Sequence, residues 1–144
     1  SSNGLIQVIR IEQQFSKEEW KLTSSLILEI PGQKLYGFEK YDDKYFILYQ
    51  SLQGKNKIVT IEKFAIKNEF YQFQEFIDTF YNKVSATNFK LISVQPNTKE
   101  LLLSGEVNSQ GSSFSAVMAF DFSLNPFTCF ENKISKDSLN IVSL

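Results

Sequence analysis

Two adjacent carboxylates, Asp42 and Asp43, are the residues of this chain whose types and spacing come closest to a known site chemistry. Carboxylate oxygens are the ligands that hard cations such as calcium prefer. The pair lies between Tyr41 and Lys44, and aspartate is also common in tight turns. No Asp-x-Asp-x-Asp-Gly spacing accompanies it. The pair is therefore interpreted as a hairpin turn, and no metal site is predicted.

The residue types available rule out several kinds of catalytic site within this chain. It has 144 residues with no histidine and one cysteine, Cys129, which excludes Ser-His-Asp and Cys-His mechanisms and thiolate metal clusters. The six glycines are scattered singly and form no phosphate-binding loop. Cys129 lies between Phe127 and Phe130 and is predicted to be a small, buried strand residue. We predict no catalytic, cofactor-binding or metal-binding residue, and therefore no enzyme.

The charge balance gives no reason to expect a nucleic acid or a membrane as partner. Fifteen basic and 16 acidic residues leave a net charge of −1, so no global field favours anionic surfaces. No apolar run approaches the ~20 residues of a membrane-spanning helix, so membrane insertion is not predicted. Residues 55–70 contain a basic edge with interleaved aromatics, which consists of Lys55, Lys57, Lys63 and Lys67 with Phe64 and Phe70. Glu62 and Glu69 lie within this edge, and the aromatics suit a core.

A repeated pattern indicates the elements that position these residues. The copies are Ile11-Glu-Gln-Gln-Phe-Ser-Lys-Glu-Glu-Trp20, Ile61-Glu-Lys-Phe-Ala-Ile-Lys-Asn-Glu-Phe70 and Met118-Ala-Phe-Asp-Phe-Ser-Leu-Asn-Pro-Phe127. Each follows an alternating apolar run, passes a polar turn and ends on an aromatic, so Trp20 is predicted to be the aromatic that closes its repeat unit. The copies start 50 and then 57 residues apart, a spacing typical of stacked or radial repeats.

Within each repeat the hydrophobic pattern predicts four antiparallel strands. A short strand from Lys34 or Lys90 leads to a turn at 41–44 or 96–99, and then to a more continuously apolar strand at 45–49 or 101–104. Polar loops at 53–57 and 108–113 precede a third strand at 58–64 or 116–122. The fourth strand is predicted around 70–76, or 127–130. Four antiparallel strands recurring every ~50 residues describe a β-propeller blade.

The predicted fold class is therefore all-β, a β-propeller segment of two full four-stranded blades with partial blades at both ends. Residues 1–33 would end a preceding blade, with strands at 6–12 and 20–28. Residues 34–88 and 89–133 would form the two blades, and 134–144 the first strand of a following blade. Since propellers need at least four blades, the chain is expected to be a segment of a larger propeller, or to be completed by a partner.

Two segments also fit a helix, which leaves an α+β alternative open. Residues Phe70, Phe73, Phe76, Ile77, Phe80, Tyr81 and Val84 follow helical spacing. Asn68 could cap a helix over 69–85, or a shorter one at 77–85 could lie between blades. Ser16-Lys-Glu-Glu19 resembles a capping box that would open a helix at Lys17. Two β-β-β-α units binding a hydrophobic ligand or partner would then result.

The blade order and the ending Ala119-Phe-Asp-Phe-Ser-Leu-Asn-Pro-Phe127 resemble the β-propeller superfamily, and the ending is similar to that of quinoprotein-like blades. The resemblance implies the fold and a binding or scaffolding role. We therefore expect a noncatalytic protein-interaction or structural module whose partner is another protein or further blades. A propeller enzyme completed by missing blades is the other alternative; its channel would be lined by Leu35–Glu39 and Leu91–Gln95, with Glu39 and Gln95 as polar groups.

Overall fold

A computed structural model describes residues 4–131 as three antiparallel sheets and one short helix. The all-β fold class is confirmed. Sheet A is a hairpin, and sheets B and C have four strands each in the order in which they follow along the chain. The elements are β1 (Leu5–Ser16) and β2 (Glu19–Pro31) in sheet A; β3 (Lys34–Tyr41), β4 (Lys44–Gln50), β5 (Asn56–Glu62) and β6 (Ala65–Phe70) in sheet B; α1 (Phe73–Asp78); and β7 (Val84–Gln95), β8 (Glu100–Ser109), β9 (Ser112–Asp121) and β10 (Pro126–Glu131) in sheet C.

Sheet B lies between the other two sheets because its central strands are apolar on both faces. Phe46 and Leu48 of β4 belong to the core shared with sheet C. Ile47 and Tyr49, which alternate with them, belong to a second core that contains Ile6 and other residues at the base of sheet A. Successive strand residues point to opposite faces, so a continuously apolar strand can pack against a layer on each side.

Sheets B and C approach each other most closely at their first strands, β3 and β7. Gly37 of β3 makes this approach possible, since a Cβ there would lie only 2.5 Å from Cγ2 of Ile92 in β7. Away from these strands, large aromatic side chains and α1 fill the space between the sheets. Phe70, Phe73 and Phe120 are in ring contact there, with centroids 5.0 to 6.2 Å apart.

The helix differs from both expectations for this part of the chain. The predicted fourth strand at 70–76 is wrong, because β6 ends at Phe70 and Phe73–Asp78 is helical. The helices predicted over 69–85 and at 77–85 are wrong in extent, since β7 begins at Val84. Asn68 does not cap a helix: its backbone N–H donates to Oγ1 of buried Thr60 at 3.0 Å, inside the sheet.

The helix predicted to open at Lys17 is also wrong. Lys17 and Glu18 form the two-residue turn between β1 and β2, with φ values of 49° and 69°. Left-handed values at both positions are those of the hairpin turn whose twist matches the flanking strands. The local capping pattern is overridden by the long pairing of β1 with β2 on either side. With one short helix in residues 4–131, the alternative of two β-β-β-α units is wrong.

Within residues 4–131, the predicted boundary at 33/34 coincides with the start of sheet B, whereas the one at 88/89 does not coincide with the start of sheet C. The predicted strands at 6–12 and 20–28 lie within β1 and β2, and sheet B begins at Lys34. The boundary between 88 and 89 falls inside β7, because that strand starts at Val84, six residues before the predicted start at Lys90. The strand predicted within 134–144 lies outside the described residues.

Asp121 organises the turn between β9 and β10, in the third copy of the repeated motif. Its Oδ1 accepts the backbone N–H groups of Ser123 and Asn125, both at 2.9 Å, and its Oδ2 accepts the Asn125 side-chain amide at 3.1 Å. Partial burial alone would raise the pKa of this carboxyl, but these hydrogen bonds outweigh it and leave the pKa below its ordinary value. The charged carboxylate therefore stabilises the turn.

We expect the stabilisation by Asp121 to be lost in acid. Because its pKa is lower in the folded chain, the contribution is complete above the unfolded pKa and disappears as pH falls through the folded one. Asp121→Asn keeps the shape and removes the charge. It should lower the free energy of unfolding by about 1 kcal/mol at pH 7 and by much less near pH 2. Urea denaturation of both proteins at the two pH values measures this, and an equal difference at both would contradict it.

Candidate interaction surface

The residues that suggested chemistry in the sequence are not assembled into a site. Asp42 and Asp43 form the turn between β3 and β4, with Asp42 at φ 55°, as predicted. Within residues 4–131, no group of three or more metal-ligating acidic, cysteine or histidine side chains is suitably placed for a metal ion. Glu39 is paired in register with Phe46, and the Gln95 amide donates to the Ser93 hydroxyl at 3.0 Å. The two side chains are half-buried parts of their own sheets.

Cys129 is a buried residue of β10, as the sequence indicated, with 6% of its surface exposed. Burial raises the pKa of its thiol to about 11. Since the thiolate is the reactive form, we expect alkylation by iodoacetamide at pH 8 to be at least tenfold slower than that of an unfolded control. Mass spectrometry of the native and urea-unfolded protein over time measures this rate. Equal rates would show that β10 does not bury the thiol.

The predicted basic edge is divided between neighbouring contacts. The Lys57 ammonium pairs with Glu69 at 3.0 Å, and the Phe70 ring packs in the core against Phe120. Phe64 is half-exposed, and the Arg10 guanidinium lies 4.6 Å above its ring. Lys57 and Phe70 are thus engaged within the fold, while Lys55, Lys63 and Lys67 are exposed.

The feature that stands out is the distal half of sheet A, where the hairpin extends beyond the core. From residue 9 to residue 26 every side chain is exposed. The register pairs Ile9 with Leu26, Gln13 with Leu22 and Phe15 with Trp20, which places these side chains on one face. The apolar members are 51–70% exposed. We call them the distal face: Ile9, Ile11, Phe15, Trp20, Leu22 and Leu26.

Trp20 corrects an expectation from the sequence. It was predicted to close a blade, but it is 67% exposed near the tip of the hairpin. Its ring packs against Phe15, with the centroids 5.2 Å apart. The turn at Lys17 and Glu18 comes late in this copy of the motif, so the final aromatic lies beside the turn and not over a core.

The apolar side of the hairpin changes face at a β-bulge. At the base, Ile6 and Val8 of β1 point toward sheet B and are buried. Beyond Val8 the apolar positions of β1 move by one residue, to Ile9, and therefore to the opposite face. In β2 the extra residue at the bulge, Ile27, shifts the strand by the same step. The distal face is thus turned away from the side that contacts sheet B.

The other side of the distal hairpin is polar. Arg10 and Glu12 of β1 lie opposite Ser25 and Thr23 of β2, and Arg10 Nη1 is 3.3 Å from Glu12 Oε1. Below this side, at the base of the hairpin, is a cleft of about 360 Å³. Basic, acidic and apolar side chains are mixed along it.

The sequence carried a signal for this surface. Apolar and polar residues alternate in both Ile9–Glu12 and Trp20–Thr23, which is typical of strands with one solvent-exposed face. Whether the apolar face would be covered could not be inferred, since that depends on what lies across from it in the fold.

No helix in residues 4–131 is long and apolar enough to cross a membrane.

Comparisons with known proteins identify no relative that would indicate a function for this chain. No protein-family model matches the chain, and no curated protein or solved structure is detectably similar to it.

Proposed function

We propose that this chain is a noncatalytic protein-interaction or structural module, a segment of a β-propeller that works within a larger chain or assembly. The observation that carries the proposal is the distal face, an apolar surface that residues 4–131 leave open. Contiguous apolar patches of more than a few hundred Å² are rare on proteins that act alone and usually mark interaction sites.

The arrangement of the sheets supports the propeller part of the proposal. Sheets B and C are four-stranded antiparallel units with strands in chain order, and their first strands are closest. Blades of a propeller have this order and converge toward the axis at one edge. Sheet A stacks on sheet B as an incomplete third layer, with two strands in place of four.

The physical argument for a partner concerns the stability of the hairpin. An isolated two-stranded hairpin is marginally stable in water, because it buries little surface. Within residues 4–131 no layer covers the distal face, whereas on the polar side Arg10 reaches the Phe64 ring that follows β5. Its ordered state gains stability if a partner covers the distal face, since each large apolar side chain contributes ~1.5–3 kcal/mol when fully buried.

The test compares association of the wild type with that of matched hairpin variants. Phe15→Ser/Trp20→Ser/Leu22→Ser removes the apolar groups of the distal face. Gln14→Ser/Lys21→Ser/Thr23→Ser changes three residues on the polar side. We expect sedimentation velocity to show reversible association of the wild type and of the polar-side variant. The distal-face variant should associate at least tenfold more weakly. Its far-UV circular dichroism should match that of the wild type, because sheets B and C are unchanged.

Two results would overturn the proposal. One is a folded wild type that remains monomeric up to about 1 mM, the weak end of protein association. The other is equal loss of association in both triple variants, which would show that hairpin stability and not the apolar surface is responsible.

A further inference from the structure

Besides the distal face, the distal half of sheet A has an open strand edge, and the strand register determines which backbone groups this edge presents. Within residues 4–131, β1 pairs along one side only, with β2, whereas sheets B and C continue to four strands. Unpaired edges present backbone groups to any further strand. The edge of β2 is interrupted by the bulge at Ile27, a feature that discourages strand addition. The edge of β1 has no extra residue.

The turn determines which backbone groups of β1 are available. Ser16 and Glu19 flank a two-residue turn and therefore form a hydrogen-bonded pair. Every second residue back along β1 bonds to β2 in the same way. The residues between them direct their N–H and C=O groups to the open edge; these are Gln7, Ile9, Ile11, Gln13 and Phe15.

The side chains around Ile11 are complementary to their own copy. Arg10 and Glu12 lie on either side of Ile11, on the polar side of the hairpin, and pair with each other at 3.3 Å while remaining 42% and 48% exposed. The Arg10 guanidinium also lies 4.6 Å above the Phe64 ring. If a second β1 runs antiparallel and is centred on Ile11, each Arg10 faces the Glu12 of the other copy. Ile11 then faces Ile11, and the open-edge residues face each other, as hydrogen bonding across the edge requires.

We propose that a second copy of this chain adds its β1 antiparallel to β1 about Ile11, forming the four-stranded sheet β2-β1-β1-β2. This inference rests on the proposed function and names the partner of the β1 edge; the distal face of each copy stays open to a further layer. The contact is two-fold symmetric, as in most homodimers. It joins the distal faces of both copies into one continuous apolar surface, and it gives sheet A the strand number of sheets B and C.

Neighbouring registers are disfavoured by charge. Centring the pair on Arg10 places two Arg10 side chains opposite each other, and centring it on Glu12 places two carboxylates opposite each other. Like charges in directly opposed positions destabilise a sheet, whereas opposite charges stabilise it. A shift by a single residue in the pairing would place the apolar side chains of one strand opposite the polar side chains of the other. The register on Ile11 is also near the middle of β1, so Gln7 to Phe15 all pair.

The decisive experiment exchanges the charges. In Arg10→Glu every cross-copy pair becomes two carboxylates, and in Glu12→Arg it becomes two guanidinium groups. We expect each single variant to self-associate about tenfold or more weakly than the wild type in sedimentation equilibrium. Mixing the two variants should restore association as a heterodimer, because each Glu then faces an Arg. Arg10→Glu/Glu12→Arg should self-associate like the wild type.

Two controls distinguish this contact from nonspecific association. Lys21→Glu changes a charge on the same side of the hairpin but in β2, and it should leave association unchanged. In a Cys129→Ser background, Ile11→Cys should be joined to its own copy by a short thiol-to-thiol cross-linker. Ile9→Cys faces Gln13 of the other copy and should cross-link at least tenfold more slowly.

The outcomes distinguish this inference from the proposed function. If the wild type associates but the mixture forms no heterodimer, or if Ile9→Cys and Ile11→Cys cross-link equally, the β1 pairing is wrong and the interaction module stands. If the folded wild type does not associate at all, both are overturned. Restored association in the mixture, together with selective cross-linking at Ile11→Cys, supports the pairing about Ile11.

Discussion

Gly105→Ala is expected to destabilise the protein by at least about 3 kcal/mol, a large part of the stability of a domain of this size. Gly105 lies in β8 opposite Phe89, next to a bulge in β7. A Cβ at this position would be 2.3 Å from the Asn88 carbonyl oxygen and 2.5 Å from Phe89 Cα. These are backbone atoms of a paired strand, so they cannot move without opening the sheet. Urea denaturation followed by circular dichroism measures the loss.

A second glycine provides the control for Gly105→Ala. Gly111 has no atom within 4 Å of an added Cβ, but its φ of +80° lies in the left-handed region. Gly111→Ala therefore measures the conformational cost alone, about 1–2 kcal/mol. A loss for Gly105→Ala no larger than that for Gly111→Ala would show that β7 and β8 are not as close as described.

Much of the all-β fold could be predicted because local signals and pairing agree. The turn at Tyr41–Lys44 separates two strands that the sequence already delimits, and β4 is continuously apolar as expected of a strand between two layers. Where a segment satisfies two patterns, the sequence alone does not decide. Phe70, Phe73 and Phe76 fit a helical period and also an aromatic-rich strand, and the chain changes from strand to helix within them.

Two turns explain the remaining differences in sheets A and B. The chain reverses at Lys63 and Phe64, both with positive φ, directly after β5. Neither residue type is typical of such a turn, so the sequence did not indicate that β6 would begin at Ala65. In sheet A the turn at Lys17 and Glu18 was hidden by a helix-capping pattern. In both places the pairing of the flanking strands outweighs the local preference.

The candidate surface was the least predictable part, for a physical reason. Trp20 and Phe15 are residue types that usually lie in a core, and most large aromatics in a folded chain are buried. Their exposure follows from the length of the hairpin, which continues past the edge of the layer that covers its base. Sequence alternation shows that a strand has one apolar face, but only the fold shows whether anything lies opposite it.

Phe73→Ala is expected to cost about 3–5 kcal/mol, because it removes a fully buried ring from the space between sheets B and C. Phe73 is 2% exposed, and its ring contacts Phe70 of sheet B as well as Phe89 and Phe120 of sheet C. Through this side chain α1 connects the two sheets where their strands are farther apart.

Phe80→Ala is the control, since Phe80 follows the helix and is 45% exposed; it should cost less than 1 kcal/mol. Hydrogen exchange should show lost protection in β6 and β9 for Phe73→Ala only. Equal effects of the two substitutions would mean that α1 does not pack between the sheets, and the stacking of sheet B on sheet C would then depend on the contact between β3 and β7 and on direct ring contacts such as that of Phe70 with Phe120.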